Sequence, residues 1–185
     1  MLAFTAALLK ALDPGPLPAD ATTSLYAVTG SDQSIDRIFQ TAPTPRQGRW
    51  RYIYIHQSLT TSGNAMTLGQ GPEGLADHFV IGNGDGSADG ELQIGRRWTE
   101  QLSAGSVPGT DRIDPNCVSI CLVGNFNRAR PTQTQQTRLA ELVTALQREL
   151  SIPADRIILL TASNKSTAGP GAYFPITDFR AHLAP

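Results

Sequence analysis

Residues 118–160 constrain the fold more than any other part of the chain. Val118-Ser119-Ile120-Cys121-Leu122-Val123 is almost continuously apolar, as a strand buried on both faces of a sheet should be, and Gly124 closes it. Thr132 followed three residues later by Gln135 is a capping box, in which each side chain satisfies a backbone donor left free at a helix start. Leu139, Leu142, Val143, Leu146 and Leu150 then fall on one helical stripe, and Pro153 ends the helix. Arg156-Ile157-Ile158-Leu159-Leu160 is a second apolar strand. Strand, amphipathic helix and strand in that order form a crossover unit, so the two strands are expected to lie parallel in one sheet with the helix packed on it.

The same reading extends upstream. Tyr52-Ile53-Tyr54-Ile55-His56 is bulky and β-branched or aromatic up to its histidine, and His78-Phe79-Val80-Ile81 is another strand candidate. Gly82-Asn83-Gly84-Asp85-Gly86 follows as a turn, and the residues after it read as a further strand. Closer to the start, Met1–Leu12 has the pattern of a short amphipathic helix, and Pro14, Pro16 and Pro18 fix an extended linker. A strand-like Leu25–Val28 and a helical Ser34–Phe39 precede Pro43 and Pro45, which break the chain again. Residues 1–48 therefore read as an N-terminal arm and Pro-rich linker, and residues 49–185 as one α/β domain with a central mixed β-sheet flanked by helices.

Charge excludes one class of partner. The 15 Lys and Arg nearly balance the 16 Asp and Glu, for a formal net charge of -1, so no basic field exists to hold nucleic acid. No stretch approaches the roughly 18 apolar residues of a transmembrane helix. The first residues lack the basic region of an export signal, and Lys10 interrupts their apolar run, which leaves the compartment open. Cys117 and Cys121 are the only cysteines; four strand steps separate their Cα atoms by roughly 13 Å, beyond disulfide reach.

Few residues can carry chemistry. His56 ends a buried strand, the place where α/β sheets present functional groups, and reads either as a ligand or base or as a hydrogen-bonded rim residue. His78 opens a strand and reads as structural, and His182 beside Arg180 reads as solvated. Asp77 and His78 are strand neighbours pointing to opposite faces, so at most one of them can face His56. Asp85 and Asp89 read as turn formers, because no bidentate Glu closes a calcium loop. Gly82 and Gly84 lack the strand-to-helix setting of a nucleotide loop. Cys121 and His56 could meet as a nucleophile pair if their strands are neighbours, although a buried cysteine is ordinarily an inert packing residue.

Three segments are informative together: Tyr52–Thr60 with its strand-terminal His56, Gly74–Gly90, and Asn116–Phe126 followed by Arg130-Pro131-Thr132. From Trp50 to Phe179 the chain resembles the zinc amidases of the N-acetylmuramoyl-L-alanine amidase type, a family shared with peptidoglycan recognition proteins. The resemblance implies a groove for muramyl peptides over the sheet and an envelope location. It also implies a zinc ion held by a histidine ending the first core strand, a histidine after the last strand, and a Cys or Asp before a Pro-Gly pair. His56 matches the first position. The second falls on Ala162 and the third on Gly169, before Pro170-Gly171, and neither side chain can ligate. Asp77 stands where relatives often carry Tyr, position 105, often a histidine, is Gly105, and Cys121 stands where some relatives carry a catalytic glutamate.

A lone histidine does not hold zinc, and without the ion no hydroxide forms at neutral pH and no carbonyl is polarised. The expectation is therefore an amidase-fold protein that has lost hydrolysis, needs no cofactor, and binds peptidoglycan fragments or serves as a structural module. His56, Gln57, Asp77, Cys121 and Asn164 are the groove candidates. The alternative is an active amidase with a metal site rebuilt from His56, Asp77, Cys121 or Cys117, which requires Asp77 to point inward. Metal-free Cys-His hydrolysis is a third option.

Overall fold

The structure, a computed structural model, describes residues 26–28, 35–105, 114–159 and 170–183. The helix expected over residues 1–12 and the linker at 13–18 lie outside them. The described strands are β1 (Tyr26–Val28), β2 (Tyr52–Gln57), β3 (Phe79–Ile81), β4 (Leu92–Ile94), β5 (Cys117–Leu122) and β6 (Ile157–Leu159). They form one six-stranded sheet in the order β1-β4-β3-β5-β2-β6. β2 runs parallel to both β5 and β6, β3 runs parallel to β5, and β4 is antiparallel to β1 and β3. The expected crossover is present, with β5 and β6 parallel and β2 inserted between them. None of the described helices is long and apolar enough to cross a membrane.

Strand alternation divides the sheet into two unlike faces. Ile53, Ile55, Phe79, Ile81, Val118, Ile120 and Leu122 share a large core with helix α3 (Gln133–Leu150), which contributes the whole stripe Leu139, Leu142, Val143, Leu146 and Leu150. Burying each such side chain contributes about 2 kcal/mol. The opposite face holds a smaller cluster of Val80, Cys121, Val123 and Ala65, with Leu68 and Leu75 packed against it. Ala65 and Leu68 belong to the short helix α1 (Ala65–Leu68), and two further short helices, α2 (Arg96–Thr99) and the C-terminal Ile176–Ala181, complete the described helices. The segment expected as an arm contributes to the domain itself: β1 pairs with β4, and Ile38 of a 3-10 turn (Ile35–Phe39) sits in the large core.

Trp98 organises one end of that core. Its indole Nε1 donates to the Ile38 carbonyl at 2.6 Å, and its ring lies 4.9 Å from Phe79 and 6.0 Å from Trp50, centroid to centroid. His78 meets both tryptophans edge-on, accepts the Ser119 amide at Nδ1 and donates from Nε2 to the Leu102 carbonyl. The structural role expected for His78 is thus what the packing shows. The Gly82–Gly90 turn is held by local polar contacts, with Asn83 Oδ1 accepting the Asp85 amide. Gly86 has φ +85, and a Cβ there would lie 2.8 Å from the Gly63 amide nitrogen, so only glycine fits.

Thr132 caps α3 as the sequence predicts: its hydroxyl accepts the Gln135 amide, and the Gln135 side chain accepts the Thr132 amide. The same hydroxyl donates to Asp89 at 2.5 Å. Thr132→Ala should cost about 1–2 kcal/mol in urea unfolding, with Thr132→Ser recovering most of it. Burial lowers the His78 pKa from 6.5 to about 4, so the unfolded chain takes up a proton that the folded chain refuses. Stability should fall by about 3 kcal/mol as pH drops from 6.5 to 4, and His78→Gln should flatten that slope whatever its stability at neutral pH.

Candidate functional site

The register of three adjacent strands assembles the site. His56 is opposite Cys121 across the β2–β5 ladder, and Cys121 is opposite Val80 across β5–β3. All three point to the face away from α3, which brings the His56 side chain near the end of β2 beside the thiol of β5. Asp77 enters from the residues just before β3. Its side chain takes the His56 face while His78 takes the tryptophan face, the split that strand alternation requires.

His56 Nε2 lies 2.7 Å from Asp77 Oδ1, and Ser119 Oγ donates to the same carboxylate oxygen. On its other side the ring Nδ1 donates to the Gln57 carbonyl at 3.1 Å. A carbonyl only accepts, so Nδ1 carries a proton and Nε2 is the nitrogen turned toward the other functional groups. Ligating atoms of His56, Asp77 and Cys121 all lie within 4.8 Å of one another. The three residues are 3%, 5% and 2% exposed. Gln57 is equally buried, and its Oε1 accepts the Phe126 amide.

Charge in this cluster is balanced by contact. Burial disfavours the imidazolium of His56, but the Asp77 carboxylate and the hydrogen bonds outweigh it, and the pKa is raised. Burial likewise works against ionised Asp77, and the neighbouring His56 charge with the His56 and Ser119 hydrogen bonds holds its pKa down. Both shifts favour the imidazolium–carboxylate form of this buried pair. Burial and then Asp77 push the Cys121 thiol well above its ordinary value, and burial first pushes Cys117 up to about 12. Neither thiol is a nucleophile in this state, which leaves metal-free Cys-His hydrolysis without its thiolate.

The sequence-derived candidates divide three ways. His56, Asp77 and Cys121 come together, with Asp77 inward as a rebuilt metal site requires. Gln57 sits beneath the surface as a support for Phe126, and Cys117 lies at the opposite end of β5 from Cys121. Asn164, Ala162 and Gly169 lie outside the described residues. Ser119 was not singled out from sequence; its trace was a lone hydroxyl in an otherwise apolar strand, two residues before Cys121 and hence on the same face.

The donor set fits zinc chemically, since imidazole, carboxylate and thiolate are its usual ligands. The 2.7 Å between His56 and Asp77 is a hydrogen-bond length, whereas two ligands about 2 Å from a tetrahedral ion stand roughly 3.3 Å apart. A proton thus lies where an ion would bridge the two groups. Zinc bound there would supply Lewis acidity and activate a water only if one position stayed open.

Comparison with known proteins fits this architecture. The chain resembles the N-acetylmuramoyl-L-alanine amidase LysC from Clostridium intestinale with 22% identity and a TM-score of 0.53, over 75% of this chain and 89% of that one. It also resembles peptidoglycan recognition protein-LE, solved in complex with tracheal cytotoxin, a monomeric diaminopimelic acid-type peptidoglycan; identity is 16% and the TM-score 0.54, over 76% and 85% of the two chains. The recognition protein PGRP-Hd from Alvinella pompejana gives 19%, a TM-score of 0.50, and 75% and 87%. At these identities the likeness is one of fold. No curated protein matches the chain. The family model for N-acetylmuramoyl-L-alanine amidases matches residues 46–172, which takes in all three members of the buried cluster, and the chain belongs to that family.

Proposed function

We propose that this chain is a non-hydrolytic member of the amidase family that binds peptidoglycan fragments. One observation carries the reading: His56, the residue at the family's first ligand position, is 3% exposed and hydrogen-bonded through both ring nitrogens. It is held as half of an internal ion pair and is not presented to a substrate. By resemblance, the other two ligand positions fall on Ala162 and Gly169, which offer no donor. Amide hydrolysis at neutral pH needs an activated water and a polarised carbonyl, and these residues supply neither.

Binding requires only a shaped surface, and the parallel strands provide the usual place for one. The loops leaving the C-terminal ends of β2 and β5 lie side by side there, because the Leu59 amide donates to the Gly124 carbonyl at 3.0 Å. Exposed Arg128 and Arg130 follow β5 closely and suit the free carboxylates of a muramyl peptide stem. The bound tracheal cytotoxin of the structurally similar recognition protein-LE supports this ligand class.

Calorimetry with a purified muramyl peptide, paired with chromatography of the same mixture, tests the reading. The expected result is saturable binding with the muramyl–alanine amide intact, weakened roughly tenfold by the double substitution Arg128→Glu and Arg130→Glu through loss of charge-assisted hydrogen bonds. Absence of binding overturns it. Release of peptide also overturns it, and identifies an active amidase working with a rebuilt site.

A further inference from the structure

A groove runs along the flank of α3 that is turned away from the sheet, between that helix, the 3-10 turn at Ile35–Phe39 and the C-terminal helix Ile176–Ala181. Its volume is about 690 Å³, the size of a ligand pocket. Leu139, Phe174 and Phe179 form an apolar floor, with the two phenylalanine rings edge-on at 5.9 Å, and Ile35 stands at one wall. Ala140 and Thr144 keep the α3 side low because their side chains are short. Among the described residues no buried side-chain nitrogen or oxygen lacks a partner, so the floor presents no polar group that would orient a small polar ligand. The groove suits a row of apolar side chains.

The sequence carries such a row ahead of the described residues. Read as a helix, Met1–Leu12 sets Met1, Leu2, Leu8, Leu9 and Leu12 on one side, with Thr5 among them and Phe4 at the edge, and Ala3, Ala7 and Lys10 on the other. We propose that this segment docks in the groove of its own chain, with its leucines on Leu139, Phe174 and Phe179 and Lys10 in solvent. The connection is long enough. Only residues 29–34 separate Val28 from Ile35 at the groove wall, so the start of β1 lies within about 30 Å of it. Residues 13–25, extended by Pro14, Pro16 and Pro18, span up to about 45 Å. Such a tether holds the segment near the groove at a concentration of the order of 1 mM, so a contact too weak to join separate molecules is populated within one. Lys10 is the only charged side chain of the segment, too little to hold it on an anionic membrane, where amphipathic helices rely on a basic face. Docked, the segment covers the α3 side of the domain and leaves the opposite face of the sheet, with His56, clear.

A nitroxide on the segment reads the contact in the full-length protein. Both native cysteines are buried, so Ala7→Cys, on the side away from the leucines, takes the label alone. In isotope-labelled protein the amide resonances of Thr137, Thr144 and Asp178 should broaden, and those of Met66 and Thr67 in α1, on the other face of the sheet, should stay sharp. Leu8→Glu combined with Leu12→Glu should abolish the broadening, and so should Thr144→Trp, which fills the groove from an exposed position. Nitroxide-bearing chain of natural isotope content, mixed with isotope-labelled chain that lacks the nitroxide, should broaden nothing. Groove amides that stay sharp, or broadening that survives either variant, overturn the proposal. Broadening in the mixture also overturns it, and places the segment on a second copy. A segment that associates only with added phosphatidylcholine vesicles, while the groove amides stay sharp, overturns it in favour of a lipid surface.

Discussion

Everything distinctive about this molecule depends on two strands running parallel and in register, Tyr52–Gln57 beside Cys117–Leu122. That ladder places isoleucines and leucines of both strands under α3 and, one residue out of phase, stacks Tyr54 against Ser119 and His56 against Cys121 on the other face. A slip of one residue would bury a histidine under the helix and turn isoleucines toward α1. The apolar face therefore enforces the polar one: the large core cannot form without also setting the histidine, the thiol and the serine in line.

The polar face carries a cost that its own contacts offset. A lone carboxylate at the position of Asp77 would be a buried charge without compensation, which proteins avoid by neutralising the group or by pairing it. Here it has two partners, His56 and Ser119, on one oxygen. Among the described residues no buried side-chain nitrogen or oxygen lacks a hydrogen-bond partner. An aspartate at this buried position is therefore accommodated by a histidine and a serine already facing it.

Much of this was legible in the sequence, and the reasons differ by element. The capped helix and its leucine stripe, the strand ending at His56 and the strand around Ile120 were readable because each is a local pattern with one structural solution. The opposite orientations of Asp77 and His78 followed from alternation alone. Strand order did not: β2 lies between β5 and β6, and nothing local to those segments says which strand fills the gap of a crossover. The integration of Ile38 and β1 into the domain was likewise hidden, because the prolines on either side read as breaks while the contact that recruits them, the Trp98 indole on the Ile38 carbonyl, spans 60 residues. The inward turn of Asp77 had to wait for the structure, since it depends on a partner 21 residues away and another 42 away.

The Thr132 hydroxyl has a second consequence. It accepts from the first turn of α3 and donates to Asp89, so the glycine-rich turn after β3 and the longest helix share a single oxygen. Any drift of that turn pulls on the helix start, and any fraying of the helix loosens the turn. The two segments are thus tied through one oxygen: a residue at 89 that cannot accept leaves the threonine with half its work, and one at 132 that cannot donate unties the turn from the helix start.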